Sequence, residues 1–248
     1  MLEKAYFLSD LHLGSSSEPK SFLLLKFLKS LNPKSEKIHI FLLGDIFDLW
    51  VAEHDYFIKK YESIIQELVR LKNDGAVIHY FEGNHDLYLD KYFGVQLGFR
   101  IHPESVELDL MGKKLRIEHG DQMDPEDKGY LFLRWFLRTS FMKWLAPRLP
   151  GWFVVWLGET MSKASRQYTS EVKSISQDRA KRVIYDHANR VYRRKPFDIL
   201  IAGHVHVAED IVLGLAEAKF RVINLGSWYD DPKVFILSEE FTGFQDIK

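Results

Sequence analysis

The chain contains no cysteine. Disulfides, iron–sulfur clusters, zinc–thiolate sites and thiol catalysis are therefore excluded. Neither sign of charge is in excess: 34 Lys and Arg stand against 35 Asp and Glu, a net of −1. Overall charge thus gives no argument for a nucleic-acid partner, and none is expected. Long hydrophobic runs are missing as well. The longest uncharged apolar stretch is Leu149 to Gly158, LPGWFVVWLG, flanked by Arg148 and Glu159. Crossing a bilayer takes roughly 20 apolar residues, so this stretch is suited to lying on a membrane and not to spanning it. The opening MLEKAYFLSDLHLG carries Glu3 and Asp10, and its apolar runs are too short for the core of a secretion signal. There is no internal repeat and no low-complexity segment. The 248 residues, 46% of them apolar, suffice for one large domain or two small ones with a core that needs no staples.

Short apolar runs alternate with helical patterns. Lys4 to Ser9, Lys37 to Leu43, Ala76 to Phe81, Lys113 to Glu118, Phe197 to Ala202, Phe220 to Asn224 and Lys233 to Ser238 read as strands. Met111-Gly112-Lys113 reads as a turn between two strands. Phe22, Leu25, Leu28 and Leu31 form one helical stripe; Phe57, Tyr61, Ile64, Ile65, Leu68 and Leu71 form a stronger one. Strands interleaved with helices predict an α/β or α+β domain. Between Glu126 and Pro196 no strand is evident. From Lys128 to Arg166 seven basic residues face a single acid, Glu159, a local balance of +6, and Trp135, Trp144, Trp152 and Trp156 lie in the same stretch. It is predicted to be a basic, aromatic, helical insertion. The alternative is that Trp135, Phe136 and Trp144 form the inner packing of a helical hairpin.

Five polar clusters each follow a predicted strand: Asp10-Leu11-His12, Gly44-Asp45-Ile46-Phe47-Asp48, Gly83-Asn84-His85-Asp86, His119-Gly120-Asp121 and Gly203-His204-Val205-His206. Ligands in α/β folds gather at the carboxyl ends of strands, so these loops are expected to converge. Residues i and i+2 of an extended chain point the same way, which would let Asp10 with His12, and His204 with His206, each offer two ligands. Oxygen and imidazole donors without thiolate suit Mn²⁺, Fe²⁺ or Zn²⁺. Two such ions can hold a bridging hydroxide and clamp a phosphoryl group from both sides. Two divalent cations less two carboxylates and one hydroxide leave one positive charge for an anionic phosphate. Alone, an Asp-x-His or a Gly-Asn-His-Asp is ordinarily surface polarity or a turn; five such clusters in this order are not. His39, His54, His79, His102 and His187 lie outside them and read as structural or solvated.

DLH, GDIFD, GNHD, HGD and GHVH together resemble the calcineurin-like metallophosphoesterase superfamily. The resemblance implies a β-sandwich flanked by helices with a dinuclear metal site at one end. It places Asp10, His12, Asp45 and His206 on one metal, and Asp45, Asn84, His119 and His204 on the other. It makes His85 the group that protonates the leaving oxygen or stabilises the transition state, oriented by Asp48. Asp86 and Asp121 would support ligand imidazoles or backbone.

A narrower resemblance spans almost the whole chain. GDIFDLW, GNHDLYL, HGDQMDPEDKGYLFLRWFLR and SKASR are similar to the UDP-2,3-diacylglucosamine hydrolases of lipid A biosynthesis. That family cuts the pyrophosphate of a UDP-sugar bearing two acyl chains, giving UMP and a diacylglucosamine 1-phosphate. The resemblance makes the insertion, about residues 124–195, a helical cap on a single metallophosphoesterase domain. It implies substrate-binding roles for Asn84, His85, Asp127, Tyr130, Ser162, Ser165 and Arg166. One departure stands out: better-known members have GNRD where this chain has GNHD. The reading adopted is a manganese-dependent enzyme, peripheral on the cytoplasmic face of the bacterial inner membrane and acting on the acylated UDP-sugar. A phosphoesterase for another nucleotide or small phosphodiester is the competitor, and a non-catalytic scaffold on the same fold is the third alternative.

Overall fold

The computed structural model describes residues 2–156, 160, 177–215, 218–229 and 231–247. In chain order the strands of the first sheet are β1 (Glu3–Leu8), β2 (Lys37–Leu42), β4 (Val77–Phe81), β6 (Arg100–His102), β12 (Lys233–Ser238) and β13 (Thr242–Asp246). Those of the second are β7 (Val106–Leu110), β8 (Lys113–Ile117), β9 (Ile199–Ala202), β10 (Ala208–Leu215) and β11 (Ala218–Leu225). Their orders are β13-β12-β1-β2-β4-β6 and β10-β11-β9-β8-β7. Strands β1, β2, β4 and β6 run parallel, with β12 and β13 closing the sheet antiparallel. A two-stranded ribbon, β3 (Trp50–Val51) and β5 (Asp86–Leu87), ties two of the polar loops together.

The sheets stack through their inner faces. Ala5, Phe7, Phe41, Leu43 and Phe81 of the first meet Leu115, Ile117, Ile199, Ile201 and Ile223 of the second. The outer face of the first sheet, with Tyr6, Leu8, Ile38, Ile40 and Ile78, is covered by α1 (Pro19–Ser30), α2 (Asp55–Lys60) and α3 (Glu62–Asn73). Being buried on both faces, these strands read as unbroken apolar runs, which is why they stand out in the sequence. The outer face of the second sheet carries Leu200, Ala202, Phe220 and Val222 under Ile184, Ala188 and Val191 of the long last helix (Gln177–Arg194). The chain between β8 and β9 supplies α4 (Lys128–Leu137), α5 (Ser140–Leu145) and a helical segment at 151–156; the Gln177–Arg194 helix is α6.

All six residues of the stronger stripe are buried. The weaker one is corrected: Leu24, Leu28 and Leu31 point inward and Phe22 is exposed. A strict interval of three drifts around a helix of 3.6 residues per turn, whereas the 24-28-31 spacing does not. Strands β3, β5, β6, β10 and β13 and the π-helical Asp90–Gln96 segment lie outside the predicted elements. β10 is an edge strand that opens on polar Glu209 and Asp210, carries a glycine and is nowhere fully buried.

Candidate active site

The five polar loops meet at one end of the sandwich, at the carboxyl ends of β1, β2, β4, β8 and β9. Backbone hydrogen bonds lock them to one another. Asp10 N donates to Gly44 O (3.2 Å), His12 N to Asp45 O (2.9 Å) and Gly203 N to His119 O (2.9 Å).

The backbone there is unusual. Among described non-glycine residues eight have φ in the left-handed region; five are Asp10, His12, Asp45, His204 and His206, at 45° to 67°. The expectation of an extended Asp-x-His pair is therefore corrected. The paired side chains converge because each residue kinks left-handed, a conformation that costs about 1–3 kcal/mol and persists where surrounding contacts over-determine it. Close packing of the loops explains two glycines. A methyl on Gly83 would overlap the Asp45 carboxylate, and one on Gly203 would overlap Ser9 and Asp10.

Three groups of side chains bring ligand atoms within 4.8 Å of one another: Asp10, His12 and His206; His12, Asp45 and His85; and Asp45, His119 and His204. His206 Nε2 lies 3.1 Å from Asp10 Oδ1 and 3.3 Å from His12 Nε2. His12 Nε2 is 3.9 Å from Asp45 Oδ2, and His119 Nε2 is 3.7 Å from Asp45 Oδ1. Asp45 thus borders both ends of the cluster. His119 Nδ1 faces the Leu43 carbonyl at 2.7 Å, which places the ring hydrogen there and turns Nε2 toward Asn84 Oδ1 at 3.2 Å. Asp10 is pinned through Oδ2 by Ser9 Oγ (2.5 Å) and His204 N (2.7 Å).

Burial alone would raise the pKa of both carboxyls, but the imidazoles hold them below the usual range, His206 foremost at Asp10 and His119 at Asp45. Burial pushes His12 and His204 down to about 4, so both are neutral rings at pH 7. Against burial, Asp45 moves His119 upward and Asp10 moves His206 upward. The anionic carboxylates and the neutral His12 and His204 are the protonation states that divalent cations require of their ligands. The donor set, buried and without sulfur, fits hard or borderline divalent ions.

His85 N donates to Asp45 Oδ1 (2.9 Å), and its Nδ1 lies 2.8 Å from the backbone carbonyl of Asp48. The orienting contact made by Asp48 thus runs through its main chain, whereas the sequence reading had implied only the residue. Asp86 is fully buried and holds backbone: it accepts from Ile46 N (2.7 Å) and Phe47 N (3.3 Å), and from Tyr80 OH (2.8 Å). Burial, then the nearby Asp45 charge, pushes its pKa up to about 7. Asp121 had been expected to support an imidazole or backbone. Its hydrogen bonds instead come from Tyr130 OH (2.8 Å) and Arg134 Nε (2.7 Å) of the insertion. The Tyr130 ring lies 5.8 Å from that of His204, at the edge of the cluster. Asp127 caps α4, its carboxylate accepting from Tyr130 N (3.0 Å). Ser162, Ser165 and Arg166 lie outside the described residues.

Several residues at the site were missed. Ser9 and Asn224 carry no motif, yet Asn224 Nδ2 donates to Gly203 O (2.8 Å) and holds the GHVH loop. Lys20 Nζ donates to Leu11 O and His12 O (2.7 and 3.0 Å) and sits 4.0 Å over the Tyr229 ring, which stacks on His12. The Asn224 and Tyr229 contacts join residues distant in sequence, and Ser9 and Lys20 reach nearby residues without belonging to any motif, so no pattern announces them.

The helix α4 is polarised inside out. Tyr130, Arg134 and Arg138 face the site, and Arg134 and Arg138 are only 12% and 11% exposed as side chains. Phe132 and Trp135 on the opposite face are 66% and 62% exposed, and no residue of α4 or α5 is buried. Phe136, Phe141, Trp144, Trp152 and Trp156 are exposed too. The hairpin-core alternative for Trp135, Phe136 and Trp144 is therefore corrected. Val154, not the tryptophans, joins the protein core. Among the described residues no helix is long and apolar enough to cross a membrane.

Comparison with known proteins agrees with this geometry. A "UDP-2,3-diacylglucosamine hydrolase" of Vibrio atlanticus is 27% identical over 96% of this chain and 94% of its own length. Proteins of the same name from Actinobacillus succinogenes and Neisseria meningitidis serogroup B are 26% and 31% identical, covering 98% and 93% of this chain and 100% and 92% of theirs. The family described as calcineurin-like phosphoesterase matches residues 4–208, a span that runs from β1 through the GHVH loop. With every motif loop inside that match, the chain belongs to the calcineurin-like phosphoesterase family and is a metal-dependent phosphoesterase.

Proposed function

We propose that the chain hydrolyses the pyrophosphate of UDP-2,3-diacylglucosamine to UMP and 2,3-diacylglucosamine 1-phosphate, working at the cytoplasmic face of the bacterial inner membrane. The relatives' name supplies the substrate. The observation that carries it to this chain is α4, which turns Tyr130, Arg134 and Arg138 toward the polar loops and leaves Phe132 and Trp135 on its opposite face uncovered. An acylated UDP-sugar needs a polar site for its phosphates and apolar surface for its chains. Each buried methylene contributes about 0.8 kcal/mol, so even part of two chains would dominate binding. Tryptophan with arginine and lysine is also the composition that favours a membrane interface.

In this reading Asp10, His12, Asp45 and His206 hold one divalent ion, and Asp45, Asn84, His119 and His204 the other; manganese suits the donors. The ions supply Lewis-acid polarisation of the phosphoryl group and a nucleophile drawn from water at neutral pH. The protein's residues do the rest. Asp45 is shared, so its orientation by the His85 amide sets both sites at once. His85, its Nδ1 hydrogen held by the Asp48 carbonyl, presents Nε2 to the leaving oxygen as proton donor. Asn84 and Tyr130 border the phosphate position, and Asp127, Ser162, Ser165 and Arg166 complete the substrate contacts. The insertion, about residues 124–195, caps a single domain through α4, α5 and the segment at 151–156, while its last helix, α6, packs on the second sheet.

A turnover assay with Mn²⁺ tests this. UDP-2,3-diacylglucosamine is compared with a chromogenic nucleotide phosphodiester, on the wild type and on Trp152→Ser, Val155→Ser and Trp156→Ser. Preferential loss on the acylated substrate is expected. Equal losses on both, or turnover of the small ester alone, would make the chain a phosphoesterase for another nucleotide or small phosphodiester.

A further inference from the structure

We propose that Arg134 is a positioning residue that fixes the register between the cap helix α4 and the loops of the metal centre, and so decides how the acylated substrate is seated. The inference rests on the proposed function for its substrate but on geometry for its mechanism. Tyr130, Arg134 and Arg138 are spaced by four and therefore share one helix face. Each is tied to a loop that carries candidate ligands. Tyr130 OH and Arg134 Nε converge on Asp121 Oδ2, two residues beyond His119. Arg138 Nη1 donates to Glu82 Oε2 (2.8 Å), two residues before Asn84, and to Pro103 O (2.8 Å). The second arm of Arg134, Nη2, reaches Glu104 Oε2 at 2.9 Å.

An amphipathic helix ordinarily docks through its apolar stripe. Here that stripe faces outward and no residue of α4 is buried, so the charge-assisted bonds are its main attachment. Arg134 is the pivot because its fork spans two carboxylates from different elements, one after β8 and one after β6. A lysine presents a single ammonium and reaches one of them. Arg134 does not itself enter the ligand cluster. It acts through Tyr130, whose hydroxyl shares its acceptor, and through the placement of the aromatic face. Displacing α4 would separate that face from the phosphate position while leaving the ligands where they are.

The test uses the manganese-loaded full chain with Arg134→Gln, Arg134→Lys and Glu104→Gln. Three quantities are read: metal content, hydrogen exchange of the α4 amides, and kinetics on the acylated substrate and a chromogenic phosphodiester. For Arg134→Gln the metal content should stay unchanged and α4 exchange should rise about 10-fold or more, the loss of one charge-assisted anchor. KM for the acylated substrate should rise about 10- to 50-fold with kcat within about threefold, the pattern of lost uniform binding. Arg134→Lys should lie between wild type and Arg134→Gln, and Glu104→Gln should shift KM in the same direction by less. Unchanged α4 exchange, or metal lost in parallel with activity, overturns the proposal. So does a fall in kcat on both substrates alike. If the wild type itself ignores the acylated substrate, the proposed function fails; the exchange rate of α4, read with retained ester hydrolysis, then decides the positioning role alone.

Discussion

Replacing Asp86 by alanine removes the acceptor shared by three donors. The carboxylate takes Ile46 N and Tyr80 OH on Oδ2 and Phe47 N on Oδ1, and the residue is fully buried. Each buried donor left without a partner costs about 1–3 kcal/mol, so Asp86→Ala should destabilise by about 3–6 kcal/mol after partial relaxation. Asp86→Asn is a finer probe. Its one oxygen can keep Ile46 N and Tyr80 OH, but its amide then faces Phe47 N donor to donor, for a cost of about 1–2 kcal/mol. Function follows from the neighbour. Ile46 succeeds Asp45, whose left-handed φ of 54° is held by these contacts. Loosening the loop should weaken metal binding about 10- to 100-fold, the usual effect of losing a group that orients a ligand. Urea unfolding and a Mn²⁺ activation curve measure the two effects, with Tyr80→Phe as a control. The double variant should cost less than the sum of the singles, because the partner is already gone. If Asp86→Ala unfolds at the wild-type urea midpoint and is half-activated at the same Mn²⁺ concentration, the reasoning is wrong.

Three further outcomes are expected. Asp45→Ala should empty both metal positions and abolish hydrolysis, while His12→Ala should lower metal occupancy in part; full activity in Asp45→Ala, or in chelator-stripped enzyme, would refute the two-ion arrangement. His85→Ala should keep its metal and lose about 10²- to 10⁴-fold in rate; since His85 also lies within ligand reach of His12 and Asp45, metal loss in parallel with rate would make it a ligand instead. Burial, then His102, pushes the pKa of His79 down to about 3 from an ordinary 6.5. A depressed folded value means the unfolded chain takes up the proton first. The stability His79 contributes is therefore whole above pH 6.5 and drains away as pH falls toward 3, by about 1.4 kcal/mol per pH unit. Urea unfolding between pH 7.5 and 5 should show a shallower slope in His79→Phe than in wild type; identical slopes would dismiss the histidine as the cause.

The residues that gather into the polar cluster were readable from the chain alone. Aspartate, histidine and asparagine recur directly after short runs read as strands, and β1, β2, β4 and β9 are largely buried on both faces. That placement sends their carboxyl-end loops to a common rim. Tertiary structure decided how the loops present their side chains. Asp10 and His12 converge through left-handed kinks, which local spacing does not encode because they exist only while Gly44, Asp45, His204 and Trp228 hold the backbone. It decided the partners of the supporting groups too. Asp48 reaches His85 through a carbonyl, and Asp121 serves Tyr130 and Arg134; composition cannot assign a hydrogen bond across the fold. The insertion is the clearest case. Its basic and aromatic content could be read from the sequence, but periodicity marks only two opposed faces of α4. Which face turns inward depended on the carboxylates at the rim, buried Asp121 and Glu82 and the more exposed Glu104, which pair with arginines through charge-assisted hydrogen bonds.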